Sequence, residues 1–253
     1  MENNAYSLGL VSISFRSHTP AGIIKAAKDA GLDFIEWGSD VHAPCADTAR
    51  LDGIVRLQNE YGIKCSSYGT YFRLGRSPLS ELSDCISAAK TLGTDTLRVW
   101  CGDKSGADMT DDEKTYLYGE CRKAAETAEK HGMTLCTERH LFTYAERTGE
   151  LLQLLNSVNS PHFRTYWQPF QNADKDENYE AAKILSPYVT NVHVFNWRGG
   201  ARFPLEEAAG AWKRYLSVLP PPRKLLLEFM PDDRLETLSR EADALRRIVG
   251  DMK

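Results

Sequence analysis

His131-Gly132-Met133-Thr134-Leu135-Cys136-Thr137-Glu138 holds a helix end, a complete strand and a charged side chain where that strand stops. Glycine fits the left-handed position that terminates a helix. The stretch before it, Glu113–Lys130, has helical apolar spacing and opens on Thr110-Asp-Asp-Glu113, a capping box. The same glycine stop recurs at Gly31, Gly62 and Gly93, each followed by a strand-like run. Such runs occupy Leu8–Ile13, Phe34–Trp37, Ile63–Tyr68, Thr96–Trp100, Met133–Glu138, Phe163–Gln168, Val189–Phe195 and Leu225–Phe229. Amphipathic stretches such as Ala21–Ala30, Ser80–Leu92 and Leu235–Val249 lie between them, and Thr19-Pro20 and Ser77-Pro78 place a cap before a first-turn proline. Eight alternations without a dividing linker predict an α/β chain folded as a single (β/α)8 barrel over residues 1–253. An open doubly wound sheet is the poorer reading, because no GxGxxG follows the first strand.

The bulk numbers agree. A chain of 253 residues with 42% hydrophobic content suits one barrel with a sizeable core. The net charge of −4 gives no field to attract nucleic acid or an anionic membrane. The six cysteines form neither CxxC nor zinc spacing, so free thiols in a reducing cytoplasm are expected. No apolar run reaches the ~20 residues that span a bilayer.

Four runs in the second half close on side chains able to bind a cation or move a proton: Glu138, Gln168, His193 and Glu228. In a parallel barrel the C-terminal strand ends meet at one mouth. Alone, each has a bland explanation: a strand-end glutamate is usually a cap or ion-pair partner, and a histidine is more often a bonded core residue. Together on four successive strands they read as a site, because two buried carboxylates are costly without a cation or proton. One imidazole and three oxygen donors suit Mg or Mn, with Co a further candidate, better than structural zinc.

From Gly31-Leu-Asp-Phe-Ile-Glu36-Trp37 to Leu-Leu-Leu-Glu228-Phe the chain resembles the xylose isomerase-like TIM barrels, which include ketose 3-epimerases, hydroxypyruvate isomerases and inosose dehydratases. The resemblance implies metal ligands at the ends of strands five to eight, matched by Glu138, Gln168, His193 and Glu228. It departs at the sixth strand, where the family carries Asp and this chain has Gln168. An amide keeps an oxygen ligand but removes a charge, and a unit charge pair at ~4 Å is worth about 4 kcal/mol at an effective dielectric of 20.

Glu36, Trp37, Tyr68, Trp100, His140 and Arg198 are the expected substrate contacts, with His42 near them. Arg98, inside the fourth strand, is the expected ion-pair partner of Glu36, and His18, His131 and His162 are expected in solvent. The implied activity is isomerisation or epimerisation of a sugar or sugar phosphate. Glu138 and Glu228 would pass a proton through a metal-stabilised enediolate. Three alternatives stand beside it: dehydration of a polyol, phosphodiester cleavage, and a sugar-binding barrel without catalysis. Phosphodiester cleavage is the weakest, since it needs a cluster richer in His and Asp than six histidines supply. A homo-oligomer is compatible with this fold, and no nucleic-acid or membrane partner is expected.

Overall fold

A computed structural model describes residues 5–252. Eight parallel strands close into a barrel, hydrogen-bonded in the order 1-8-7-6-5-4-3-2. They span Ser7–Val11, Phe34–Gly38, Lys64–Leu74, Thr96–Cys101, Thr134–Thr137, Phe163–Trp167, Val189–Val194 and Lys224–Leu227. Eight helices form the outer layer: α1 Pro20–Asp29, α2 Thr48–Tyr61, α3 Leu79–Leu92, α4 Asp111–Lys130, α5 Thr148–Val158, α6 Lys175–Leu185, α7 Ala209–Leu216 and α8 Leu238–Gly250.

Each strand–helix unit is written locally. Thr19 accepts from Gly22 N with Pro20 in the first turn, and Thr110 and Glu113 complete the capping box of α4. Helices α2 and α3 end on Gly62 (φ 67°) and Gly93 (φ 83°), where a side chain would be strained. At Ser77-Pro78 the structure corrects the expectation: Pro78 is itself the cap residue, and α3 starts at Leu79 without a side-chain cap.

The strand ends differ from the sequence reading in ways that shape the mouth. The first strand stops at Val11, because Ser12–Phe15 turn into a short 3-10 helix. The third runs on to Leu74, its pairing with the fourth shifting register between Gly69 and Arg73. Glu138, Gln168 and Glu228 each sit one residue beyond their strands. Glu138 N donates to Val99 O (3.0 Å) and Glu228 N to Val194 O (2.9 Å), which keeps both glutamates tied to neighbouring strands.

Helix α7 secures that end of the barrel. Trp212 packs edge-on against Trp167 with ring centroids 5.9 Å apart, and its Nε1 donates to Phe195 O at 3.0 Å. Both rings are fully buried, so the contact adds to their area burial about 0.5–1.5 kcal/mol of aromatic pairing. No helix among the described residues is long and apolar enough to cross a membrane.

Candidate functional site

Side chains alternate along a strand, so the residues that share a face with Glu138, His193 and Glu228 point into the barrel. His193, within the seventh strand, is fully buried and places Nδ1 among three oxygens. Gln168 Oε1 lies 3.0 Å away, Glu138 Oε1 3.4 Å and Glu228 Oε2 3.4 Å. The amide of Gln168 is oriented from behind: its Nε2 donates to Arg139 O at 2.9 Å, which turns its oxygen toward the imidazole. The two glutamates differ. Glu138 Oε2 accepts from Trp100 Nε1 (2.7 Å) and from the Arg98 guanidinium. Glu228 Oε2 is buried and has no hydrogen-bond partner.

A second layer lies beneath. Glu36, on the second strand, accepts from Ser67 Oγ at 2.7 Å and from Arg98 Nε at 3.1 Å, and its Oε1 is 3.5 Å from His193 Nε2. Asn191 Nδ2 donates to Tyr166 Oη at 2.8 Å beside Ser67. Gly69 makes room for the ion pair: a Cβ there would stand 2.9 Å from Arg98 Nη2 and 3.0 Å from Glu36 Oε1.

Charges and burial are set against each other here. Burial is the largest influence on Glu138 and opposes its ionised form, but Arg98, His193 and Trp100 together outweigh it and hold the carboxyl well below its usual range. For Glu36, burial is outweighed by His193 and then Arg98, again lowering the pKa. Burial disfavours the imidazolium of His193, yet Glu228 and Glu36 together raise its pKa well above the ordinary value.

Glu138, His193 and Glu228 present donor atoms within 4.8 Å of one another. Adjacent ligands around a cation at ~2.1 Å stand roughly 3.0–3.4 Å apart. The spacing of the oxygens about His193 Nδ1 falls in that range, and Glu228 Oε2 is buried without a hydrogen bond. The donor set therefore fits a divalent cation.

Above the donors opens a cavity of about 460 Å³ lined by Arg98, Glu138, Gln168 and Glu228. One wall is polar and includes His140, which stacks on Trp100 with ring centroids 4.5 Å apart. The opposite wall is aromatic, built from Phe195, Trp197 and Phe229, with the last two 4.8 Å apart. Phe229 takes a left-handed backbone (φ 53°) directly after Glu228, a conformation that costs a bulky residue on the order of 1–2 kcal/mol. A larger cavity of about 670 Å³ lies at the other end of the barrel, among Lys64, Lys90 and Lys224. It touches none of the four donors, and barrel chemistry belongs to the C-terminal face.

Of the expected substrate contacts, Trp100 and His140 reach the cavity. The other four do not. Glu36 is sealed below the donors. Trp37 and Tyr68 face the helix layer, where Trp37 Nε1 donates to Gln58 Oε1 (2.9 Å) and Tyr68 Oη to Ala43 O (2.6 Å). Arg198 is exposed on a small hairpin and pairs with Glu207 at 2.7 Å. His42 is buried with Nδ1 3.1 Å from Ser12 Oγ, and His162, expected in solvent, is half-buried with Nδ1 2.8 Å from Met133 O. The aromatic wall and the Arg98–Glu138 contact were absent from the sequence reading; Phe195-Asn-Trp197 and Glu228-Phe229, flanking two donors, are the signal for the wall.

Solved structures with this fold are numerous. The probable 3-DHS dehydratase AsbF of Bacillus anthracis superposes with a TM-score of 0.81 at 18% identity, covering 94% of this chain and 98% of that one. A protein named IOLI, solved with a bound zinc atom, gives 0.78 at 14% identity over 98% and 99% of the two chains. D-psicose 3-epimerase from Clostridium cellulolyticum H10, solved with D-tagatose, gives 0.75 at 13% identity over 98% and 99%. At such identities these likenesses establish the fold. No curated protein matches the sequence. The xylose isomerase-like TIM barrel family model matches residues 24–219, most of the chain, and the protein belongs to that family.

Proposed function

We propose that the protein is an isomerase or epimerase of a sugar or sugar derivative, working with a bound divalent cation, Mn or Mg. The observation that carries this reading is the convergence of Glu138, Gln168, His193 and Glu228 on one point at the floor of the mouth cavity. Those four residues would hold the cation. When bound, it supplies positive charge for a carbonyl oxygen and for the negative charge that develops as the adjacent carbon loses a proton.

The chain's own groups do the rest. Glu228, one of whose oxygens would face the cation, takes the proton from carbon with its other oxygen and returns it to the neighbouring carbon, which completes the isomerisation. Glu138, anchored through Oε2 by Arg98 and Trp100, presents Oε1 as the second carboxylate oxygen at the reacting carbon. His140 and Trp100 offer hydrogen bonding and a flat surface to one side of the substrate, and the aromatic wall covers its C–H face and excludes water.

A second reading, dehydration of a polyol-derived ketone, rests on the inequality of the two glutamates. An epimerase needs two acid–base groups, whereas isomerisation or elimination can proceed with one, and Glu138 is held as a carboxylate. One experiment tests both: purified protein with Mn, a panel of ketoses and cyclic polyol ketones, in D2O. Deuterium entering a sugar at the carbon beside the carbonyl supports the first reading. Loss of water with a new conjugated-alkene absorbance replaces it by the second. Neither change across the panel, in protein shown to bind Mn, refutes both.

A further inference from the structure

We infer that Glu36 is a positioning residue that fixes the proton of His193 on Nε2, so that Nδ1 faces Glu138, Gln168 and Glu228 as a bare lone pair. The inference rests on the proposal that these residues hold a divalent cation. It assigns Glu36 no contact with substrate.

Burial comes first. Glu36 is 0% exposed and does not line the mouth cavity, so no substrate reaches it. A carboxylate in such a place needs a purpose or a partner, since the effective cost of burying an ion is several kcal/mol. Arg98 is only half an answer, because its guanidinium is already engaged by Glu138. Beside the Arg98, Ser67 and Tyr166 contacts, the group that turns an unsatisfied polar atom toward Glu36 is His193, whose buried Nε2 makes no hydrogen bond and lies 3.5 Å from Glu36 Oε1.

The frame around Glu36 holds it toward that nitrogen. Ser67 Oγ donates to Oε2 and Arg98 Nε to Oε1, from the third and fourth strands. Register explains the placement: Glu36 pairs with Ser67 and Gly69 pairs with Arg98, so all four share the barrel interior. Gly69 leaves the carboxylate its space, as a Cβ would crowd both partners of the ion pair.

The two ring nitrogens of a neutral imidazole are not equivalent. The one hydrogen-bonded to an acceptor keeps the proton, and the other becomes the ligand. A carboxylate behind a metal-binding histidine also raises its basicity, and loss of such a partner typically weakens metal binding 10–100-fold. Gln168, Glu138 and Glu228 stand 3.0–3.4 Å from Nδ1, the spacing of neighbouring ligands about one cation, so with the cation bound Nδ1 is the ligand atom and Glu36 is the acceptor behind Nε2.

The test is metal binding and ring spectroscopy of the whole protein, apart from any turnover. Calorimetric titration with Zn alone should show the affinity of Glu36→Gln reduced 10–100-fold relative to wild type. Long-range 1H–15N spectra of the Zn-loaded wild type should show His193 with a protonated Nε2 and a metal-shifted Nδ1. In Glu36→Gln the Nε2 proton should move upfield, a change that a merely space-filling role would not produce. Should Glu36→Gln fail to fold, Ser67→Ala removes one of the two donors to Glu36 and should move affinity and resonance in the same directions by a few-fold. Equal affinity in wild type and variant, or a spectrum with the proton on Nδ1 and Nε2 bound, overturns the inference while the cation site stands. A wild type that binds no Zn, Mn or Mg overturns the cation site and this inference with it.

Discussion

Replacing Arg98 by Met is the sharpest perturbation of the barrel interior. Arg98 is 2% exposed, and its guanidinium lies between Glu36 at 0% and Glu138 at 4%. Methionine fills much of the same volume but leaves both carboxylates buried without their shared cation. Breaking a buried pair from one side costs about 3–5 kcal/mol. At roughly 2–4 °C per kcal/mol for a chain of this size, the melting temperature in chelator should fall by about 6–20 °C. The sign of the pH dependence follows from the lowered pKa values of Glu36 and Glu138. Each contributes stability that is present above the unfolded carboxyl value near ~4.3 and lost only as pH falls through the lower folded value. In Arg98→Met, burial acts unopposed by the guanidinium, so the variant should recover ground as pH falls toward ~4 and the carboxyls take up protons. Saturating Mn should also raise its melting temperature more than that of wild type, because the cation meets one more uncompensated charge. Differential scanning calorimetry with and without Mn, at two pH values, measures all three. A variant melting within ~2 °C of wild type in chelator would mean that Arg98 does not carry the charge of this site, and the electrostatic account would fall.

Cation binding should release a proton. The folded pKa of His193 is raised, so its protonation stabilises the metal-free protein below ~6.5 and that contribution fades as pH rises through the folded value. Ligation needs the neutral ring, so Mn affinity should increase with pH, and calorimetric heats should differ between buffers of different ionisation enthalpy. Buffer-independent heats would show that His193 is already neutral. Gly69→Ala places a methyl against Arg98 and Glu36 and should destabilise by about 1–3 kcal/mol in chemical denaturation; an unchanged midpoint would mean that the ion pair has slack. Cys45, half-buried with its thiol lowered to about 6 by contact with Cys85 and Tyr68, should be the one thiol of six that reacts quickly with a disulfide reagent at neutral pH. Cys45→Ser should abolish that fast phase, whereas Cys65 and Cys136, pushed up to about 12 by burial, should stay inert. A fast phase that survives the substitution assigns the reactivity elsewhere.

The barrel was legible because its grammar is local. A glycine that ends a helix, an apolar run of five or six residues and a capped restart are all written within one strand–helix unit, and repetition does the rest. The four residues that converge at the mouth were legible for the same reason, since each lies at or just past the end of its own strand. What failed was orientation. Glu36 and Trp37 are neighbours on one strand and cannot share a face, so alternation alone excludes one of them from the interior. Glu36 then took the interior but lay beneath the donors, a depth that strand parity does not encode. Arg198 follows the seventh strand closely in sequence, yet a short hairpin and Glu207 carry its charge away from the mouth. The link from Arg98 to Glu138 joins residues 40 apart and exists only when the fourth and fifth strands pair.

That non-local link also changes the meaning of Gln168. Taken strand by strand, an amide where relatives place an aspartate reads as a lost charge and a weakened cation site. Within the closed barrel the relevant quantity is the charge of the whole enclosure. Of the two buried guanidinium groups near the mouth, Arg139 turns to Glu146 O and Phe170, so Glu36, Glu138 and Glu228 have Arg98 alone as a fixed cation. With a neutral His193, three carboxylates against one guanidinium would leave two negative charges. The divalent cation proposed above would balance those two. An aspartate at 168 would leave a third, buried in a medium where an unpaired charge costs several kcal/mol. It would also leave Arg139 O without the amide donor that now satisfies it. Arg98 and Gln168 therefore belong to one arrangement: the arginine sets the charge of the enclosure, and the amide supplies an oxygen without upsetting it.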